Sequence, residues 1–167
     1  MSRQLIEISV DAIIAKLKAD LPAELATIRS ARADNLVTME APRDYYVYPR
    51  AKGYRTPAVF VIGDRIDFQK DRKGANHVNA AVRINISFLV EDKDAERLVR
   101  KSYRYQAAVH KVLDQATLTS PEGSARMTLV IQNAAFSGLY SNLEPGDPQA
   151  VYRQEISLEV DCFQYEP

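Results

Sequence analysis

Apolar and polar residues alternate strictly in two long stretches of the chain. In the first, Val82, Ile84, Ile86, Phe88 and Val90 alternate with Ala81, Arg83, Asn85, Ser87 and Leu89. In the second, Tyr152, Ile156, Leu158, Val160 and Cys162 alternate with Arg153, Glu155, Ser157, Glu159 and Asp161, and Gln154 is the one polar break on the apolar side. A period of two over that length predicts half-buried antiparallel strands. At about 3.3 Å per residue, a run of roughly a dozen residues reaches about 40 Å. Such strands suit a scaffold that presents surfaces better than one that shapes a pocket.

The period changes to three and four after the first strand, where Ala95, Leu98, Tyr105, Val109, Val112, Leu113 and Ala116 predict a helix from Ala95 to Leu118. Asp92 or Asp94 can cap it. Leu5, Ile6, Ile13, Leu17 and Leu21 form a second helical stripe that Pro22 should end or kink, with a short helix continuing toward Ala33. Leu36 to Glu40 reads as a short strand, and Asp44 to Tyr48 as an edge strand interrupted by Pro49. Ala58 to Ile62 is an apolar strand, Gly63 and Asp64 turn the chain, and Ile66 to Phe68 can pair briefly. The polar stretch Gln69 to Asn79 predicts an exposed, mobile loop. Leu118 to Ser124 reads as a loop, Met127 to Ile131 as a strand, and Asn133 to Tyr140 fits either description. The order helix, strands, helix, strands indicates an α+β fold: a mostly antiparallel sheet with helices packed on one face, a single domain over residues 1–167. The other face of that sheet carries Arg83, Arg153, Glu155 and Glu159.

Charge narrows the class of partner. Lys plus Arg and Asp plus Glu both total 22 in 167 residues, which argues against a dedicated nucleic-acid binder or a membrane-surface protein. Near-neutrality also removes the self-repulsion that keeps copies apart. The balance is uneven along the chain. Arg50, Lys52, Arg55, Arg65, Lys70, Arg72 and Lys73 face only Asp64, Asp67 and Asp71, whereas Arg153 faces Glu144, Asp147, Glu155, Glu159, Asp161 and Glu166. Opposite excesses can serve a head-to-tail contact between identical copies, or can be solvated faces that never meet. The first twenty residues interrupt their isoleucines with Glu7, Asp11, Lys16 and Lys18, so they form neither the apolar stretch of a signal peptide nor a spanning helix.

Catalytic chemistry finds no purchase. His77 and His110 lack a second His or Cys at ligand spacing, and no nucleophile motif or phosphate-binding glycine loop occurs. No metal or cofactor is expected. The single cysteine, Cys162, permits no internal disulfide and reads as core packing. Tyr45, Tyr46, Tyr48 and Tyr54 lie among Arg50, Lys52 and Arg55, a mixture found in single-strand nucleic-acid grooves and in protein interfaces. Core or interface packing outweighs nucleic acid here, because alternate residues of an edge strand pack half against the core.

Three local patterns and the order of elements resemble the tail-terminator and tail-completion proteins of the neck of long-tailed bacteriophages. The patterns are the leading helical pair Ile6 to Arg32, the segment Tyr45-Tyr46-Val47-Tyr48-Pro49 followed by Pro57-Ala58-Val59-Phe60-Val61, and the strand Val82 to Val90 running straight into the helix Ala95 to Leu118. The final strand Val151 to Phe163 ends the chain as in that family. The resemblance implies a non-enzymatic protein of the virion, assembled in the host cytoplasm. It would form a ring, commonly a hexamer, that caps the tail tube, stops its polymerisation and meets the head connector. Its partners would be itself, the tail-tube protein and the connector, with genomic DNA only passing through the channel and no membrane involved. A head-completion or adaptor protein on the portal side is the alternative, and a nucleic-acid-binding module a more distant one. For the subunit or tail-tube contact the expected residues are Arg65, Lys70, Arg72 and Lys73 against Glu144, Asp147, Glu155 and Glu159, with Tyr45, Tyr46 and Tyr48 as an apolar contact.

Overall fold

Both alternating stretches become the central strands of one sheet. In the computed structural model, which describes residues 2–32, 34, 37–48, 53–70, 78–119, 126–144 and 147–165, strand β3 (Val78–Asp92) pairs antiparallel with β7 (Tyr152–Tyr165) from Ala80↔Gln164 to Asp92↔Tyr152. β2 (Ala58–Lys70) flanks β3, and β5 (Arg126–Phe136) flanks β7, both antiparallel. Two short strands lie at the edges: β1 (Asp44–Tyr46), parallel to β2, and β4 (Thr117–Thr119), antiparallel to β5. The order across the sheet is β1-β2-β3-β7-β5-β4, and β6 (Tyr140–Ser141) adds to β7.

Two helices cover one face. α1 (Ser2–Arg32) and α2 (Ala95–Leu113) bury Ile13, Leu17, Leu21, Leu98, Tyr105 and Val109 against Val59, Val61, Ile84, Ile86, Ile156, Leu158 and Val160, all essentially inaccessible to water. At about 25 cal/mol per Å² of apolar surface, this layer is the principal stabilising term. Gln164, Tyr105 and Asp92 have partners at this layer, whereas Ser102 Oγ on α2 is buried without one among the described residues. Gln164 donates through Nε2 to Leu5 O at 3.0 Å and Ser9 Oγ at 2.6 Å, tying the last strand to the first helix. The Tyr105 hydroxyl donates to Glu40 O. Asp92 accepts from Arg97 and, at 3.4 Å, from Lys101 Nζ, so the rim of α2 is clamped to the end of β3. Cys162 is buried as expected, and burial pushes its thiol up to about 11 although the Ser9 contact opposes this.

Several expectations are corrected. α1 is one helix with Pro22 inside it, because Pro22 is exposed and the carbonyl of Lys18 that loses its donor can turn to water. Gly63 does not turn the chain. It sits at a β-bulge between Gly63 and Arg65 within the continuous strand β2, and a Cβ there would overlap Ile6 Cγ2, so glycine permits the close approach of α1. The short strand expected at Leu36 to Glu40 is absent among the described residues, where Val37 and Met39 are buried without ladder pairing. α2 ends at Leu113 rather than Leu118. Asp114 caps it, Gln115 adopts φ 57°, and the chain reverses so that Leu118 enters β4. The capping residue at the other end is Asp94, which accepts from Arg97 N–H at 2.7 Å. Asn133 belongs to β5, which runs on to Phe136. The loop expected at Gln69 to Asn79 shortens at both ends, since Gln69 and Lys70 finish β2 and Val78 and Asn79 begin β3, and residues 71–77 lie outside the described residues.

Candidate interaction face of the sheet

The helix-free face is built by the residues that alternate with the core. The register aligns Arg65, Arg83 and Asp161 in one row, Ile62, Asn85 and Glu159 in the next, then Phe60, Ser87 and Ser157, then Ala58, Leu89 and Glu155. Beyond them Glu91, Arg153 and Tyr140 align at the far end. The face therefore divides into a charged half and an aromatic half.

The charged half is internally paired. Arg83 lies between Glu159, at 2.6 Å, and Asp161, which it meets at 2.9 Å through Nε and at 3.3 Å through Nη2. The hydrogen bond to Asp161 is the main reason the guanidinium is held above its usual range, with burial opposing and Glu159 adding. Arg65 pairs with Asp67 at 3.2 Å; at the far end of the face, beyond the aromatic half, Arg153 pairs with Glu91 at 3.3 Å.

The aromatic half is assembled from four separate segments. The ring of Tyr46 on β1 stacks on Phe60 of β2 at 5.3 Å between centroids, and Tyr54 meets Phe60 edge-on at 5.8 Å. Tyr48 meets Tyr46 edge-on at 6.3 Å. The segment carrying Tyr54 is held by its neighbour Arg55, which donates to Asp44 Oδ1 at 3.1 Å and Oδ2 at 3.3 Å. That hydrogen bond keeps the Asp44 carboxyl below its usual range despite the opposing effect of burial. Tyr140 of β6 closes the other side, leaving a cleft of about 200 Å³ between Tyr54, Phe60, Leu89, Tyr140 and Glu155. Such a volume is below the roughly 300–1,000 Å³ of small-molecule sites and matches one inserted side chain.

The expected contact residues do not form one patch. Tyr46 and Tyr48 belong to the aromatic half, but Tyr45 points to the helix side, where Lys18 Nζ lies 5.3 Å from its ring. Arg65 and Glu159 sit in the charged half with partners of their own, whereas Glu155 borders the cleft. Glu144 and Asp147 are exposed between β6 and β7, and Asp147 shapes that turn by accepting from Gln149 N–H at 2.7 Å. Lys70 ends β2, and Arg72 and Lys73 fall outside the described residues. Phe60 and Tyr140 were missed by sequence reasoning. Phe60 carried a usable signal, a large aromatic out of phase with Val59 and Val61, but Tyr140 reaches the cleft only through pairing with Arg153, which no local pattern announces.

Elsewhere, His110 is exposed and lies 4.0 Å from Asp114. Among the described residues no three His, Cys, Asp or Glu side chains are grouped as a metal would require, and no helix is long and apolar enough to cross a membrane. No family model matches the chain, and no curated protein matches it in sequence. Among solved structures, a chain from the virion of a native gene transfer agent (GTA) particle is similar to this one with a TM-score of 0.52 and 18% identity, over 93% of each chain. At that identity, what the two chains share is the fold.

Proposed function

We propose that the chain is a non-enzymatic structural protein of a phage-like particle, which forms a ring at the neck, caps the tail tube and offers a surface for joining the head. The observation that carries this reading is the shared fold over nearly the whole of a virion chain. It agrees with the resemblance read from the sequence, which implies the same location, the same partners and a hexameric ring. The sheet supports the reading in physical terms. Its helix-free face is a broad surface with a side-chain-sized cleft, and a capping ring needs complementary surfaces without needing a reactive group.

The test is assembly. Solution mass together with electron microscopy of mixtures with tail tubes should show rings, free or at tube ends. A chain that stays monomeric at high concentration and leaves tube ends bare refutes the reading. In particles lacking the protein, overlong or unfinished free tails are expected. Normal tails beside leaking heads would instead indicate the portal-side adaptor.

A further inference from the structure

The cleft of the aromatic half has the composition of a cation receptor. Three rings, Tyr54, Phe60 and Tyr140, border it, and the carboxylate of Glu155 lies at its edge. An aromatic ring presents its negative face to a cation, and a carboxylate beside it adds charge attraction. Among the described residues Glu155 has no ion-pair partner, in contrast to Glu91, Glu159 and Asp161 on the same face. Arg153, two residues away on β7, is engaged by Glu91. The Tyr140 hydroxyl is raised above its usual range first by burial and then by Tyr54, with Glu155 and Glu91 adding to the rise and Arg153 opposing it.

The topology supplies a matching cation at the opposite end of the same strands. Phe60 stands near the start of β2 and Leu89 near the end of β3, whereas the segment joining the two strands, from Lys70 through Asp71, Arg72 and Lys73, leaves the far end. Ten residues of strand separate Phe60 from Lys70, about 33 Å at about 3.3 Å per residue. The paired strands β2 and β3 hold the point where the connection leaves them at that distance from the cleft of the same chain. A second copy displaced along the strands can bring its connection to the cleft, which is the geometry of a head-to-tail contact.

We propose that the cleft between Tyr54, Phe60, Tyr140 and Glu155 receives Arg72 or Lys73 from the β2–β3 connection of a second copy. The contact rests on the self-assembly reading above and gives the subunit interface its polarity.

The first experiment needs no oligomer. A synthetic peptide of residues 69–79 is titrated into the full-length chain while the ring signals of its tyrosines and phenylalanines are followed by NMR. Shifts should concentrate at Tyr54, Phe60 and Tyr140. Exchanging Arg72 and Lys73 for Glu in the peptide, or Glu155→Gln in the chain, should weaken binding about tenfold. Equal binding of the two peptides, shifts elsewhere, or no binding overturns the proposal, whether or not rings form. The second experiment uses assembly. Glu155→Lys should abolish association and Arg72→Glu/Lys73→Glu should do the same, while the chain carrying all three changes regains it; melting curves establish that each variant is folded. Rings that form undiminished in the Glu155→Lys chain refute the cleft contact and leave the neck reading standing. Absence of rings in the unaltered chain, with the peptide still bound at the cleft, refutes the neck reading and leaves the receptor site.

Discussion

The two faces of the sheet are made by the same strands yet follow different rules. On the helix side, Val82, Ile84, Ile86 and Phe88 of β3 meet Val160, Leu158 and Ile156 of β7 in an unbroken apolar layer, and the polar groups that enter it at the rim are clamped. On the open side the intervening residues of the same strands form paired charges at one end and an aromatic cleft at the other. The contrast separates specification of the fold from presentation of a surface. Burial fixes the register, because a slip of one residue would exchange the two faces. The open side is then free to vary without endangering the sheet.

The largest loss of stability is expected where the helix layer is tightest. Gly63→Ala places a methyl group on Ile6 Cγ2, and Ile6 cannot swing away freely because a β-branched side chain in a helix holds one rotamer. The expected loss is about 2 kcal/mol in urea unfolding. Ile6→Ala in the same chain should recover part of it, so that the double variant is more stable than the sum of the single effects allows. Strict additivity would show that Gly63 is needed for the bulge itself and not for the approach of α1.

The next effect lies at the rim of that layer. Burial raises the Asp92 carboxyl, but the Arg97 hydrogen bond, the Asp94 N–H and the charge of Lys101 together outweigh it, and the group lies below the usual 3.8. A depressed carboxylate contributes stability that is present above its unfolded value and lost as pH falls through the folded one. Stability should therefore hold down to about pH 4 and decline below it, and Asp34 and Asp44, lowered chiefly by their Arg104 and Arg55 hydrogen bonds, act in the same direction. Asp92→Asn should cost about 2 kcal/mol at neutral pH, since Lys101 is left without its charge partner, and should flatten the acid slope. An unchanged slope would assign acid sensitivity to Asp34 and Asp44 instead.

The faces also differ in what could be read from the chain. Alternation in Val82 to Val90 and Ile156 to Cys162 identified both central strands, the face they bury and the α+β arrangement, because burial leaves a periodic mark on every second residue. Gly63 misled for a physical reason: a glycine serving close packing and a glycine serving a turn look the same in sequence. The end of α2 misled because Ala116 and Leu118 continue the apolar spacing although the chain has already reversed at Gln115. Of the expected contact residues, Glu155 borders the cleft and Tyr46 stacks on its wall at Phe60, with Tyr48 against Tyr46, whereas Tyr45 follows the alternation of β1 to the other face. The cleft itself depends on Tyr54, Phe60 and Tyr140 converging from three segments, and convergence is a property of pairing over long separations.

The smallest effect is expected in the charged half of the open face. Glu159 and Asp161 share Arg83, but only Asp161 meets it through two hydrogen bonds, so Glu159→Gln leaves the guanidinium held in place. The ion pair that is lost lies on the open face, where water and salt screen it, and the gain from charge attraction is offset by the ordering of a long side chain. Melting of the Glu159→Gln chain should differ from that of the parent by no more than about 0.5 kcal/mol, and the difference should shrink further as salt is raised. A loss comparable to that of Gly63→Ala would mean that the charged half holds the sheet together as the core does. A negligible loss combined with weakened assembly would instead make Glu159 part of the surface the sheet presents, and would move the boundary of the contact from the cleft into the charged half.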